Sequence, residues 1–118
     1  MIWVAIAVGG AAGSLARYGA GRALSTGSAF PWATFFVNVT GCFLIGLATI
    51  ALDGRPVWVR TGLIVGVLGG YTTFSAFGQE GYSLFAGDAT ATAVAYTAGS
   101  VVAGLLAVYA GTLLGRTF

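Results

Sequence analysis

Long apolar runs that almost no charge interrupts set the first limit on what this chain can fold into. Across 118 residues the only charged side chains are five arginines and the acids Asp53, Glu80 and Asp88. A bilayer core about 30 Å thick takes roughly 20 apolar residues per helix. Four such helices with short connections use up the whole length. Charged residues make up 7% of the chain and hydrophobic ones 58%, where an ordinary soluble domain is about 25% charged. A soluble fold this apolar would expose large greasy patches. The chain therefore reads as an all-α integral membrane protein, one four-helix transmembrane domain over residues 1–118, multi-pass in the cell inner (plasma) membrane.

Composition also excludes several chemistries. There is no histidine and one cysteine, Cys42, which removes the Ser-His-Asp triad and argues against zinc and haem sites. A single cysteine forms no disulfide within the chain, and inside an apolar run it reads as a small packing residue. A net charge of +2 is too small to suggest a nucleic-acid partner. The first apolar run has no basic segment before it; Arg17 and Arg22 follow it, so it reads as a retained helix and not a signal peptide.

Turn chemistry places the helices at about 2–24, 31–52, 57–85 and 89–115, with Pro31 suited to a first helical turn and Asp53-Gly54-Arg55-Pro56 and Gly87-Asp88 as turns. In the third helix the pair Gly69-Gly70 meets Tyr71-Thr72-Thr73, a poor helix centre, and a break is expected there. Backbone freed at membrane depth must be buried in protein or line a wet cavity. Gly9 and Gly13, and Gly62, Gly66 and Gly70, recur every fourth residue and make flat faces for close helix packing.

Polar groups in a bilayer are expensive and mark function. Thr34, Asn38 and Cys42 share one stripe of the second helix, and Tyr96, Ser100 and Gly104 one stripe of the fourth. Either stripe can be interhelical glue or a ladder of hydrogen-bonding groups offered to a substrate. Phe74 and Phe77 share a face just after the break; they are core packing, or rings whose positive edges face an anion. Glu80 follows one turn later, as an interfacial anchor or part of a pore mouth. Arg17 snorkels to the interface or faces an aqueous vestibule.

Three blocks together resemble the Fluc (CrcB) family of fluoride channels: Gly9-Gly10-Ala11-Ala12-Gly13-Ser14-Leu15-Ala16-Arg17-Tyr18, then Ala33-Thr34-Phe35-Phe36-Val37-Asn38-Val39-Thr40-Gly41, then Gly69-Gly70-Tyr71-Thr72-Thr73-Phe74-Ser75-Ala76-Phe77. The third is the most specific. Ala33 departs from the family's usual glycine, and Ala76 stands where Thr or Ser is common. The similarity runs from end to end of the chain.

The resemblance implies an antiparallel, dual-topology homodimer of four-helix copies with the third helix broken at mid-membrane, two separate pores, and no enzymatic activity. It implies that Asn38 is the pore asparagine and that the ring edges of Phe74 and Phe77 contact fluoride. Tyr96 and Ser100 match the polar track on the fourth helix, Thr34 its neighbour on the second, and Ser75 falls within the pore motif. The next track position is Gly104, so a hydroxyl found in some relatives is missing. Arg17 matches the vestibule arginine. The backbone carbonyls of Gly69 and Thr72 match ligands of a structural sodium ion at the dimer centre. The implied partners are a second copy of the chain, fluoride and the lipid bilayer.

The arginines agree with insertion in both directions. Arg55, Arg60 and Arg116 fall on the side of the N-terminus, and Arg17 and Arg22 on the other, a weak bias by the positive-inside rule. Two rivals stand beside a channel. Small multidrug exporters are also four-helix dual-topology dimers, but they resemble one another in a carboxylate within the first helix, and none lies between Ile2 and Leu24 here. A non-transporting structural subunit would explain the glycine faces, but not an isolated Asn38 beside a polar ladder.

Overall fold

The computed structural model describes residues 1–118 and contains helices and no strand. The elements are α1 (Ile2–Ala23), α2 (Trp32–Ala51), α3 (Val57–Thr61), a π-helical stretch (Gly62–Leu68), α4 (Gly69–Tyr71), α5 (Phe74–Ala86) and α6 (Thr90–Gly115). Expected and observed ends agree to within one residue outside the break. Pro31 caps α2 from outside instead of sitting in its first turn, and its carbonyl accepts the Phe35 N–H at 3.0 Å. At the Gly87-Asp88 turn the left-handed residue is Asp88 (φ 60°), which a short polar side chain tolerates.

Three stretches are long and apolar enough to cross a membrane: Trp32–Ala51, Val57–Ala86 and Thr90–Gly115. Only 14 of the 118 residues are buried, so most of the apolar surface faces outward, as it does where lipid or another chain is the solvent. Chain order makes α2 and α6 run parallel, and these two form the tightest pair. α1 lies instead along the π-helical stretch and α4.

Both packings rest on glycine. A Cβ on Gly9 would fall 2.5 Å from the Gly62 carbonyl oxygen, one on Gly70 would fall 2.6 Å from the Gly10 carbonyl oxygen, and one on Gly13 would overlap the Val67 carbonyl. The small-residue faces read from sequence on α1 and the third span therefore meet each other. A second seam joins α2 to α6, where Gly46 lies against the Val108 carbonyl and Gly111 against the Phe43 carbonyl. Without a hydrophobic force between helices in lipid, such backbone approach supplies the packing energy.

The break falls within the expected segment, at its threonine end. Gly69 and Gly70 remain helical, and the chain turns extended at Thr72 (φ −80°, ψ 159°) and Thr73 (φ −150°, ψ 117°). Gly70 is held against Gly10 by close packing, which a helix allows, whereas β-branched threonines lose little in an extended backbone. The π-helical stretch, a wider coil of seven residues ahead of the break, has no signature in the sequence.

Gly13→Ala is expected to destabilise the protein by about 1–3 kcal/mol, the usual cost of overpacking. Gly19→Ala, whose Cβ meets nothing within 4 Å, is expected to leave it unchanged. Thermal unfolding of the two variants in detergent checks the contrast.

Candidate functional site

The site is built around Thr73. A continued helix would send its N–H to the Gly69 carbonyl one turn back. Here the Thr73 N–H donates to Asn38 Oδ1 at 2.8 Å, and Asn38 Nδ2 donates back to the Thr73 carbonyl at 3.0 Å. The asparagine amide thus pairs with one residue of open backbone as a neighbouring strand would. One of the two Nδ2 hydrogens is used in this pair, and the other remains for a ligand.

Thr73 also starts the next helix. Its Oγ1 accepts the Ala76 N–H at 3.3 Å, the N-cap arrangement that satisfies a first-turn donor. That N–H would otherwise go to Thr72. The carbonyls of Gly69 and Thr72 have both lost their helical donors, and oxygen atoms of this kind are the ligands a hard cation takes. Gly69 is exposed on the outer face of the chain.

Parallel packing of α2 and α6 sets their polar stripes side by side in three levels. At the first, the Thr34 hydroxyl donates to Glu80 Oε1 at 2.8 Å and the Tyr96 hydroxyl to Glu80 Oε2 at 2.7 Å. Glu80, whose role the sequence left open, is therefore the carboxyl group on which the two hydroxyls meet. At the second level stand Asn38 and Ser100. The Ser100 Oγ is buried and has no hydrogen-bond partner, so its hydroxyl is uncommitted. At the third, Cys42 faces Gly104.

Two cavities flank Thr73. One, of about 320 Å³, is walled by Asn38, Cys42, Thr73, Phe74, Phe77 and Ser100, with Gly69 and Thr72 at its edge. The other, of about 410 Å³, lies toward the C-terminal end of α1 and is lined by Arg17, Thr34 and Thr73. Arg17 is half-buried there and is the only charged group in its lining. A cation at the mouth of a cavity draws anions toward it.

The phenylalanines follow the break as expected. Their ring centroids are 5.6 Å apart, and Phe77 sits 5.4 Å from the Tyr96 ring. Phe74 is 83% exposed, so little of this chain covers it. Tyr96 is fully buried, with Phe30 from the α1–α2 loop edge-on at 5.4 Å on its other side. Thus Asn38, Phe74, Phe77 and Ser100 meet in one cavity, Arg17 and Thr34 line the other, and Tyr96 is joined to them through Phe77 and Glu80. Ser75 stands apart: it is exposed, lines neither cavity, and its hydroxyl reaches only Thr73 Oγ1, at 3.4 Å.

Sequence reasoning overlooked Thr73 as the residue the asparagine holds, and Phe30 as the neighbour of Tyr96. The paired threonines were a usable signal for the first. Nothing in the sequence marks the second.

Comparison with known proteins identifies the chain's relatives. The family model described as CrcB-like protein, Camphor Resistance (CrcB), matches residues 4–112. A protein of Chloroflexus aurantiacus named fluoride-specific ion channel FluC is 45% identical, over 98% of this chain and 95% of its own. One of the same name from Solibacter usitatus is 47% identical over 98% and 99%, and one from Thermus thermophilus is 45% identical over 96% and 92%. Agreement at this level, along nearly the full length of each protein, shows that the chain belongs to the CrcB family.

Proposed function

We propose that this chain is a fluoride-selective passive ion channel, not an enzyme, that exports cytoplasmic fluoride across the inner (plasma) membrane. The observation that carries the reading is the set of uncharged donors gathered at the helix break, in a chain whose relatives are named as fluoride-specific ion channels. Fluoride is small and strongly hydrated, so a narrow path must replace its water with donors. The free amide hydrogen of Asn38 and the unpartnered Ser100 hydroxyl supply them, without a fixed charge that would trap the ion. Conduction needs binding that is favourable yet weak enough to release.

The first level works by exchange. The Thr34 and Tyr96 hydroxyls are spent on Glu80, so they serve a passing anion by turning from the carboxyl group toward it. Arg17 gathers the anion at the mouth. The Phe74 and Phe77 ring edges carry partial positive charge and no hydrogen-bond donor, and so stabilise fluoride without holding it.

The assembly that fits is an antiparallel, dual-topology homodimer with two pores. α1 is the fourth span: its 22 residues reach about 33 Å, with Arg17 and Arg22 at the end that meets the headgroups. The exposure of Phe74 and Gly69 and the balanced arginines support a second, inverted copy lying over the break. Each copy would then contribute the freed carbonyls of Gly69 and Thr72, and two copies give four oxygen ligands for one central sodium ion on the twofold axis.

Three outcomes test the reading. Liposomes loaded with fluoride and carrying the protein are expected to empty once an ionophore dissipates the voltage; a strict need for a proton or sodium gradient would sink the channel. Asn38→Ala removes both the donor and the Thr73 clamp, and is expected to slow efflux by about fivefold to 150-fold, the effect of about 1–3 kcal/mol at a buried polar site, with dimers still present on gel filtration. Unchanged flux would make Asn38 structural glue. Phe74→Ile and Phe77→Ile keep bulk and remove the ring quadrupole. Both variants are expected to fold, dimerise and conduct poorly, whereas conduction near the parent's level would reduce the rings to packing.

A further inference from the structure

The three levels of the α2–α6 row are chemically unequal. Thr34 and Tyr96 each bring a hydroxyl to the first, and Asn38 and Ser100 an amide and a hydroxyl to the second. At the third, Gly104 brings no side chain, and a Cβ built on it would lie 3.3 Å from Cys42 Sγ. The sulfur therefore lies directly against the point where a side chain on α6 would begin, in the wall of the cavity that also holds Asn38, Phe77 and Ser100. Two observations on other residues point to an ion's place in this wall. Ser100 Oγ, one level away, is buried without a partner. Asn38 keeps one amide hydrogen free after pairing with Thr73.

We infer that the Cys42 thiol, at a level where α6 brings no side chain, is the third donor on the anion's route, next after Ser100. The inference rests on the fluoride-channel reading and assigns to it a residue that packing alone would otherwise explain. One level is four helical residues, about 6 Å along the axis, a short step for an ion leaving the Asn38–Ser100 pair. An S–H is a weak donor, which suits a position that must release the ion. A thiol is also nucleophilic, and Cys42 is the chain's single cysteine. The route thus carries one covalent handle, and a small neutral thiol reagent that reaches it closes the path.

The unmodified protein, reconstituted in liposomes, is itself the test object. Methyl methanethiosulfonate transfers a thiomethyl group: the Cys42 sulfur attacks the sulfenyl sulfur, a disulfide bond forms, methanesulfinate leaves, and the thiol proton passes to water. Intact mass scores the modification. Fluoride is expected to slow labelling where chloride at equal concentration does not, and labelling is expected to cut fluoride efflux at least about tenfold, with recovery in dithiothreitol. Cys42→Ala is expected to slow efflux about fivefold, the size of one net hydrogen bond, and Cys42→Ser, which restores a donor, to conduct better than the alanine variant. Efflux that survives complete labelling, a labelling rate indifferent to fluoride, or a thiol that stays unlabelled overturns the inference, and none of these depends on a variant folding. No efflux from the unlabelled protein sinks the channel reading itself, so the two failures are told apart.

Discussion

A helix broken inside a membrane releases N–H and C=O groups that no water is there to satisfy, and each left bare costs several kcal/mol. Everything distinctive in this chain depends on how Asn38 settles that debt at Thr73. Its amide carries a donor and an acceptor in one plane, the same pair a peptide group carries, so it closes both polar groups of Thr73 at 2.8 and 3.0 Å. With Thr73 held extended, its own hydroxyl caps α5, and α5 leaves the break in a direction that puts Phe74 and Phe77 beside Asn38 and Ser100. The same event strips the Gly69 and Thr72 carbonyls of their donors. One side chain therefore holds the break open and lines the cavity beside it.

The clamp demands that α2 and the third span hold their places, and glycine seams fix each against a neighbour, the third span against α1 and α2 against α6. Where Gly13 meets the Val67 carbonyl and Gly46 the Val108 carbonyl, helix backbones touch with no side chain between them. Gly41 belongs to the same device, since a Cβ there would overlap the Thr72 methyl. The result is a rigid frame on the inside and an apolar exterior. Rigidity matters for an anion path, because donors that drift would let water back in and lose discrimination.

Charge is handled just as sparingly. Asp53 and Asp88 lie in turns, and Glu80 is the one acid inside a helix. Its two oxygens are met by Thr34 and Tyr96, so the only carboxyl group within a helix is a hydrogen-bonded one, which offsets the cost of its partial burial. Arg17 lies on the far side of Thr34, in the neighbouring cavity. An arginine and a glutamate thus flank one threonine, and the donors deeper in carry no charge at all.

Much of this was legible in the residues. Hydropathy and turn chemistry located the helices to within a residue, because a span needs a fixed apolar length and Gly, Pro and Asp punctuate it whatever the tertiary context. The cost of polar groups in lipid singled out Asn38, Ser100, Tyr96 and Arg17, and the motif that follows the glycine pair marked the break. The residue at which the helix opens was not legible: Gly69 and Gly70 are the weaker helix formers, yet both stay helical, Gly70 packed against Gly10, and the break falls at Thr72 and Thr73. Nor was it legible that Thr34 and Tyr96 converge on Glu80, or that Cys42 lies against Gly104. Those pairings depend on the register of α2 against α6, which backbone contacts at Gly46 and Gly111 fix. Local sequence sets where a helix starts, stops and presents a polar face; only three-dimensional packing decides which face it meets.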